Sequence, residues 1–231
     1  MNEGDIVLDF FSGSATTAHA VMATEKKYRY IMVQLPAVLD ETVTSQKVAK
    51  EFLETIGRPG TLDQIGMERI IRAAQKISAE NPGTAADFGF RHYTLADVTG
   101  LTLDKMEQFS PDDNGMFVSN TILDDFSLST VLSTWLIRDG YGFTAPVETV
   151  DFAGYTGYYM GKHLYLIEQD LSNEAIAAIT EKFETDGTFN PENVVLFGYS
   201  FKWTEMEALK TNLARLKDTE KNLRVNFDIR Y

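Results

Sequence analysis

The run Asp9-Phe-Phe-Ser-Gly-Ser-Ala-Thr-Thr17 holds the residues of this chain best placed for binding chemistry. Ile6, Val7 and Leu8 form an apolar run ahead of Asp9, and Ser12, Gly13, Ser14 and Ala15 then supply four small residues where a backbone must pass close to something else. A helix starting near Thr16 or Thr17 would turn its free N–H groups and its positive dipole end into that turn. Strand, tight turn and helix in this order make a place for an anionic or polar ligand.

Two nucleotide-type cofactors use such a turn. A dinucleotide fold needs three glycines, G-x-G-x-x-G, to admit a pyrophosphate, and only Gly13 is present here. The segment Asp9–Thr17 instead resembles the S-adenosylmethionine turn of amino-group DNA methyltransferases, whose pattern is F-x-G-x-G-T-T. Phe11, Gly13, Thr16 and Thr17 match it, and Ala15 stands where Gly is usual. The resemblance implies that Asp9, Phe10, Phe11, Ser12, Gly13, Ser14, Ala15, Thr16 and Thr17 bind S-adenosylmethionine, with Asp9 near the methionyl amino group.

The resemblance extends along the chain. Arg29-Tyr-Ile-Met-Val-Gln-Leu-Pro36, Ile65-Gly-Met-Glu-Arg-Ile-Ile-Arg-Ala-Ala-Gln-Lys-Ile77, Phe88-Gly-Phe-Arg-His-Tyr-Thr-Leu95, Leu132-Ser-Thr-Trp-Leu-Ile137, Gly140-Tyr-Gly-Phe143 and Ser200-Phe-Lys202 followed by Thr211-Asn212 are similar to the Mod (modification) subunits of type III restriction-modification systems. Those subunits belong to the permuted class of adenine-N6 DNA methyltransferases, in which a catalytic Asp-Pro-Pro-Tyr and the target-recognition region precede the cofactor turn. No Asp-Pro-Pro-Tyr occurs in these 231 residues, so no catalytic residue is assigned and Met1 is expected to stand at a truncated start. The family implies duplex DNA, a second Mod copy and the restriction subunit as partners, with DNA engaged through the part that precedes the turn.

The other polar residues carry less. Gln34 ends the second expected strand, where nucleotide-binding α/β folds hold the ribose hydroxyls, usually with a carboxylate; it is read equally well as a cofactor contact or as a strand-end polar residue. Asp97 is read as a turn former before an adenine contact, and Glu68, Arg69 and Arg72 as solvated helix charges. His19, His92 and His163 have no metal-ligand spacing, and no metal site is expected. There is no G-x-S-x-G elbow and no G-x-x-x-x-G-K-[ST] phosphate loop. Tyr155, Tyr158, Tyr159, Tyr165 and Tyr199 are read as packing rather than as base-stacking platforms.

Composition bounds the reading. With 44% hydrophobic residues in 231, one sizeable core or two small ones can form, and two are expected. No apolar run is long enough to span a membrane and no signal peptide opens the chain, so a cytoplasmic protein without membrane partners is expected. Zero cysteines exclude disulfides and thiolate chemistry. The net charge of −13 is uneven: residues 1–98 carry 10 basic and 13 acidic side chains, residues 99–231 carry 11 and 21. The second part is a poor surface for DNA, whose binding rests on Lys and Arg, and a better one for a protein.

The elements that must position the turn follow from periodicity. A strand at Tyr28–Leu35, helices at Thr44–Ile56 and, behind a Thr61/Gln64 capping box, through Ile77, and a third strand at Phe88–Leu95 are expected. Residues 99–115 read as a linker. Then come one helix from Asn120 to Arg138, a hairpin through Ala153-Gly154, and an alternation of strands at 163–168, 194–198 and 223–229 with helices at 173–183 and 204–216. That alternation predicts a parallel sheet covered on both faces.

The fold class expected is therefore α/β: a partial Rossmann-like S-adenosylmethionine-dependent methyltransferase half over 1–98, the linker, and a second α/β domain over 116–231. Three functions are weighed: the cofactor-binding part of an adenine-N6 DNA methyltransferase inactive by itself, a protein-interaction module of the Mod subunit, and a nicotinamide-dependent oxidoreductase.

Overall fold

A computed structural model describes residues 2–24, 27–83, 86–95, 97–111, 120–218 and 224–231. The chain divides into two compact units, Met1–Phe90 and Arg91–Tyr231.

The first unit is built on one βαβ crossover. Strand β1 (Ile6–Phe10) pairs in parallel with β2 (Arg29–Val33), Ile6 opposite Arg29 and Phe10 opposite Val33, and helix α1 (Thr16–Met22) connects them. One face of this pair is covered: Tyr30 and Met32 pack with Ala15, Ala18 and Met22 from the turn and α1, and with Ile70 and Ala73 from α3 (Leu62–Glu80). The opposite face is bare, with Ile6, Leu8 and Phe10 about half exposed or more (49%, 59% and 64%). Parallel strands are ordinarily buried on both faces, so this two-stranded sheet is half of what such strands require.

Helix α2 (Thr44–Thr55) lies where the apolar spacing places it. The capping box expected ahead of α3 does not form: Thr61 is extended and makes no side-chain cap. The Gln64 side chain is engaged elsewhere, accepting from Arg58 Nη1 (3.2 Å) and donating to Asp63 Oδ2 (2.8 Å). Nor is Glu68 a solvated charge, since it accepts from Arg58 Nε (3.2 Å) and Arg72 Nε (2.7 Å) with its side chain only 14% exposed. The strand expected at Phe88–Leu95 is irregular. Phe88 and Phe90 pack on the first core, while Arg91 and Tyr93 donate to the Phe143 carbonyl. Alternating apolar residues supply packing, but a strand also needs a neighbour to pair with.

In the second unit the stretch read as a linker carries helix α4 (Gly100–Gln108), capped by the Thr99 hydroxyl on Thr102 N (3.1 Å). The expected linker residues 112–115 lie outside the described residues. Lys105 and Thr102 of α4 both bond Asp125 at 2.9 Å. The single helix expected from Asn120 to Arg138 is two, α5 (Asn120–Phe126) and α6 (Leu128–Arg138). Ser127, at φ 68, interrupts them and caps α6 by accepting from Thr130 N.

The sheet runs β3 (Glu148–Phe152), β4 (Tyr155–Met160), β5 (His163–Leu166), β6 (Asn193–Phe197) and β7 (Asn226–Arg230), neighbours in that order. It is mixed rather than parallel: β3–β4 and β4–β5 are antiparallel, β5–β6 and β6–β7 parallel. The cause is local. Ala153 (φ 51) and Gly154 (φ 92) form a two-residue turn, and Gly161 (φ 54) opens the next, leaving no chain for a crossover helix. Within this sheet, β5 and β6 are followed by helices, α7 (Asn173–Thr185) and α8 (Trp203–Arg215).

Both faces of this sheet are covered. Leu164, Leu166, Val194 and Leu196 meet α7 and α8 through residues such as Ile179, Phe183, Met206 and Leu209. Tyr165, Ile167, Val195 and Phe197 meet Ile122 of α5 and Trp135 of α6. Among the described residues no helix is long and apolar enough to cross a membrane.

Candidate functional site

Phe11, Gly13 and Ala15 all take positive φ (72°, 55° and 57°), three left-handed residues within five positions at the carboxyl end of β1. For Phe11 and Ala15 that conformation is strained by roughly 1–3 kcal/mol each, and strain of this kind gathers at ligand sites. It also explains why Gly is usual at the place of Ala15: a left-handed position is where Gly is the unstrained choice.

What holds the turn is the end of β2. The N–H groups of Phe11 and Ser12 both donate to Val33 O (2.9 and 3.0 Å), and Ala15 N donates to Ser12 O (2.8 Å). Gly13 N donates to Gln34 Oε1 at 2.7 Å, while Gln34 Nε2 donates to Leu35 O at 3.1 Å. Behind the turn, Thr17 Oγ1 donates to Asp9 Oδ2 (2.6 Å), tying the last turn of β1 to the first of α1. A Cβ on Gly66 of α3 would stand 3.2 Å from Gly13 O and 3.4 Å from Ala15 Cβ, so the missing side chain lets α3 lie directly against the turn.

The sequence-predicted residues are thus brought together. Asp9 is bonded to Thr17, and Gln34 to Gly13; Ser12 and Ala15 are buried, Ser14 half-buried, and Thr16 exposed at the start of α1. Phe10 and Phe11 stand open to solvent, their rings edge to face at 5.8 Å. Its own chain neighbours apart, no atom of the described residues lies within 4 Å of where a Gly13 Cβ would be, so the backbone there is open to an approaching group. Asp97 is exposed and irregular, and His19 is a half-buried residue of α1.

Two residues near the turn went unread in the sequence. Gly66 could have been found, since an isolated Gly in a helical pattern costs about 1 kcal/mol against Ala and is retained for a packing reason. Asp63, one helical turn earlier, has a buried Oδ1 with no hydrogen-bond partner.

A second polar cluster, in the other unit, was equally hidden. Arg230 holds Asp139 with two bonds, Nη1–Oδ2 at 2.9 Å and Nη2–Oδ1 at 3.0 Å, and Tyr165 OH donates to Asp139 Oδ2 at 2.7 Å. Burial works to raise the Asp139 carboxyl, but its bonds from Arg230 and Tyr165 prevail and hold it below the usual carboxylate range. His163 stacks on Tyr165, bonds the Tyr141 hydroxyl through Nδ1 (2.6 Å), and has Nε2 3.9 Å from Asp139 Oδ2. Burial pushes the His163 imidazole down, against the pull of Asp139. Arg230 also lies over the Trp135 ring at 5.5 Å. Every member has a partner, and the cluster reads as a structural clamp between β5, β7 and α6. Among the described residues no three His, Cys, Asp or Glu side chains gather as metal ligands.

The family described as Type III R-M EcoP15I C-terminal domain matches residues 126–223. The chain is 32% identical over 249 aligned residues to the type III restriction-modification enzyme StyLTI Mod subunit of Salmonella typhimurium, covering 96% of this chain and 37% of that one. It is 33% identical to the EcoP15I Mod subunit of Escherichia coli (89% of this chain, 30% of that one). Against the EcoPI Mod subunit of Escherichia phage P1 it is 31% identical (90% and 31%). The chain spans about a third of the length of these relatives. Matching them along nearly all of its own length, and the EcoP15I C-terminal domain over residues 126–223, the chain is similar to the C-terminal part of a type III restriction-modification Mod subunit.

Proposed function

We propose that Met1–Phe90 is the cofactor-binding part of an adenine-specific DNA methyltransferase, a Rossmann-like half whose turn Phe11–Thr17 binds S-adenosylmethionine. The observation that carries the reading is the left-handed turn at the end of a parallel strand, pinned by Gly13 N on Gln34 Oε1 with open space above Gly13. Ligands of open α/β folds bind outside the carboxyl ends of the strands, which is where this turn sits. The bare face of β1, with Ile6, Leu8 and Phe10 exposed, fits cover by helices of the parent subunit.

The chemistry of the residues fits such a cofactor. Asp9, oriented by Thr17, offers its second carboxylate oxygen to an amino group. Gly13 admits close approach of the backbone. Gln34 braces the turn and keeps one amide N–H for a ribose hydroxyl. Bound there, S-adenosylmethionine would supply the methyl group for an adenine flipped out of the duplex. With no Asp-Pro-Pro-Tyr to polarise the adenine amine, the chain by itself transfers nothing.

A second role belongs to residues 116–231: an α/β assembly domain for a second Mod copy or the restriction subunit, the DNA contacts lying elsewhere in the parent. The excess of 21 acidic over 11 basic side chains in 99–231 favours it.

Gly13→Val tests the cofactor assignment. A β-branched side chain at φ 55° is strained and fills the open space, so calorimetric affinity for S-adenosylmethionine should fall at least tenfold with the fold intact. Unchanged affinity in a folded variant removes the turn from the site. Incubation with duplex DNA and labelled cofactor should give no label transfer above a no-protein control.

A further inference from the structure

We infer that Asp63 is a further cofactor-binding residue, its Oδ1 accepting from the amino group of the ligand's amino-acid moiety; this rests on the cofactor reading of the turn. Two independent observations converge on it. The first is position. Asp63 stands one helical turn ahead of Gly66 on the same side of α3, and Gly66 is the residue that lies against Gly13 O and Ala15. The start of α3 is fixed beside the carboxyl end of β2, since Leu62 N donates to Ala37 O (2.9 Å) and Val38 bridges Thr61. The first turn of α3 therefore borders the same edge of the sheet as the Gly13 turn and Gln34.

The second observation is an unmet hydrogen bond. Asp63 Oδ1 is buried with no donor, and a buried carboxylate oxygen left so is costly. The other oxygen is not loose: Oδ2 accepts from Gln64 Nε2 (2.8 Å), Gln64 Oε1 accepts from Arg58 (3.2 Å), and Arg58 is held by Glu68. That chain of contacts fixes the carboxylate and leaves one acceptor in need of a donor. An ammonium group satisfies it best, by a charge-assisted bond. The ligand's amino group would then lie between two carboxylates, Asp9 from β1 and Asp63 from α3.

The experiment uses the full 231-residue chain and two probes: S-adenosylmethionine, and 5′-methylthioadenosine, which shares the nucleoside but has no amino group. Asp63→Asn keeps the shape and removes the charge. It should weaken S-adenosylmethionine at least tenfold and leave methylthioadenosine within twofold. Gln64→Met, which frees the carboxylate to turn, should weaken S-adenosylmethionine severalfold with the same selectivity, and gives the answer if Asp63→Asn does not fold. Equal loss of both probes would make Asp63 a support of the turn and overturn the inference. Unchanged binding of both in Asp63→Asn, while Gly13→Val loses S-adenosylmethionine, would overturn it and leave the cofactor reading standing. If the wild-type chain binds neither probe, the cofactor reading itself falls and this inference with it.

Discussion

The two units bury themselves very differently. Among the largest fully buried side chains of the described residues, Leu53 alone lies in the first unit, whereas Tyr165, Phe152, Phe183, Phe189, Leu196 and Met206 lie in the second. The second sheet has five strands and helices on both faces; the first has two strands and one bare face. Burial of apolar surface, at about 25 cal/mol per Å², is what holds such units together. The second unit has a core on both faces of its sheet, while the first carries an open, strained turn on a sheet with one bare face.

The largest effect should come from the clamp of the second unit. Arg230→Met leaves Asp139 buried without its guanidinium, and removing one member of a buried pair costs about 3–5 kcal/mol. Denaturant unfolding should show that loss in the later of two transitions, with cofactor affinity unchanged. A single transition shifted as a whole would merge the two units into one cooperative body.

Crowding the turn comes next. Gly66→Val puts a side chain where only 3.2 Å separates an added Cβ from Gly13 O, and overpacking of this kind costs about 1–3 kcal/mol. The earlier transition should move, and S-adenosylmethionine affinity with it. Gln34→Leu removes the acceptor of Gly13 N–H and should cost about 1–2 kcal/mol in the same transition. An effect of either on the later transition instead would break the comparison.

The smallest effect is in pH. His163 faces Asp139, Arg230, Asp228, Glu192, the Tyr141 hydroxyl and the Tyr165 ring, and burial sets its folded pKa below the ordinary 6.5. Between the folded value and 6.5 the unfolded chain binds more protons, so stability is full above about pH 6.5 and declines as pH drops below it. His163→Gln should flatten that decline in the second unit. The depressed Asp139 carboxyl acts lower: its contribution is present above the ordinary carboxylate pKa and lost as pH falls through its folded value. A decline between pH 6.5 and 5 equally steep in the variant would exclude His163 as its source.

Local chemistry was legible where it is carried by neighbours in the chain. The turn at Gly13, the hairpin at Ala153-Gly154 and helices α2, α7 and α8 follow from spacing and small residues. The break at Ser127 was not, because the apolar stripe of 120–138 continues through it, and only the serine's left-handed φ and its bond to Thr130 N divide the helix. Strand direction was misread for a similar reason. Alternation counts helices, but the two tight turns after β3 and β4 decide that the first half of the sheet is antiparallel. Gln34 shows the limit at the site: its place at the end of β2 was evident, its bond to Gly13 N was not. Asp139 and Arg230 meet across 91 residues of sequence, and no local pattern joins them.

The most direct measurement of the central claim is amide hydrogen exchange of the 231-residue chain with and without S-adenosylmethionine. Binding by the turn predicts added protection confined to Phe11–Thr17 and the start of α3, with β5, β6 and α7 unchanged. Protection that appears in the second unit and not at Gly13 would contradict it.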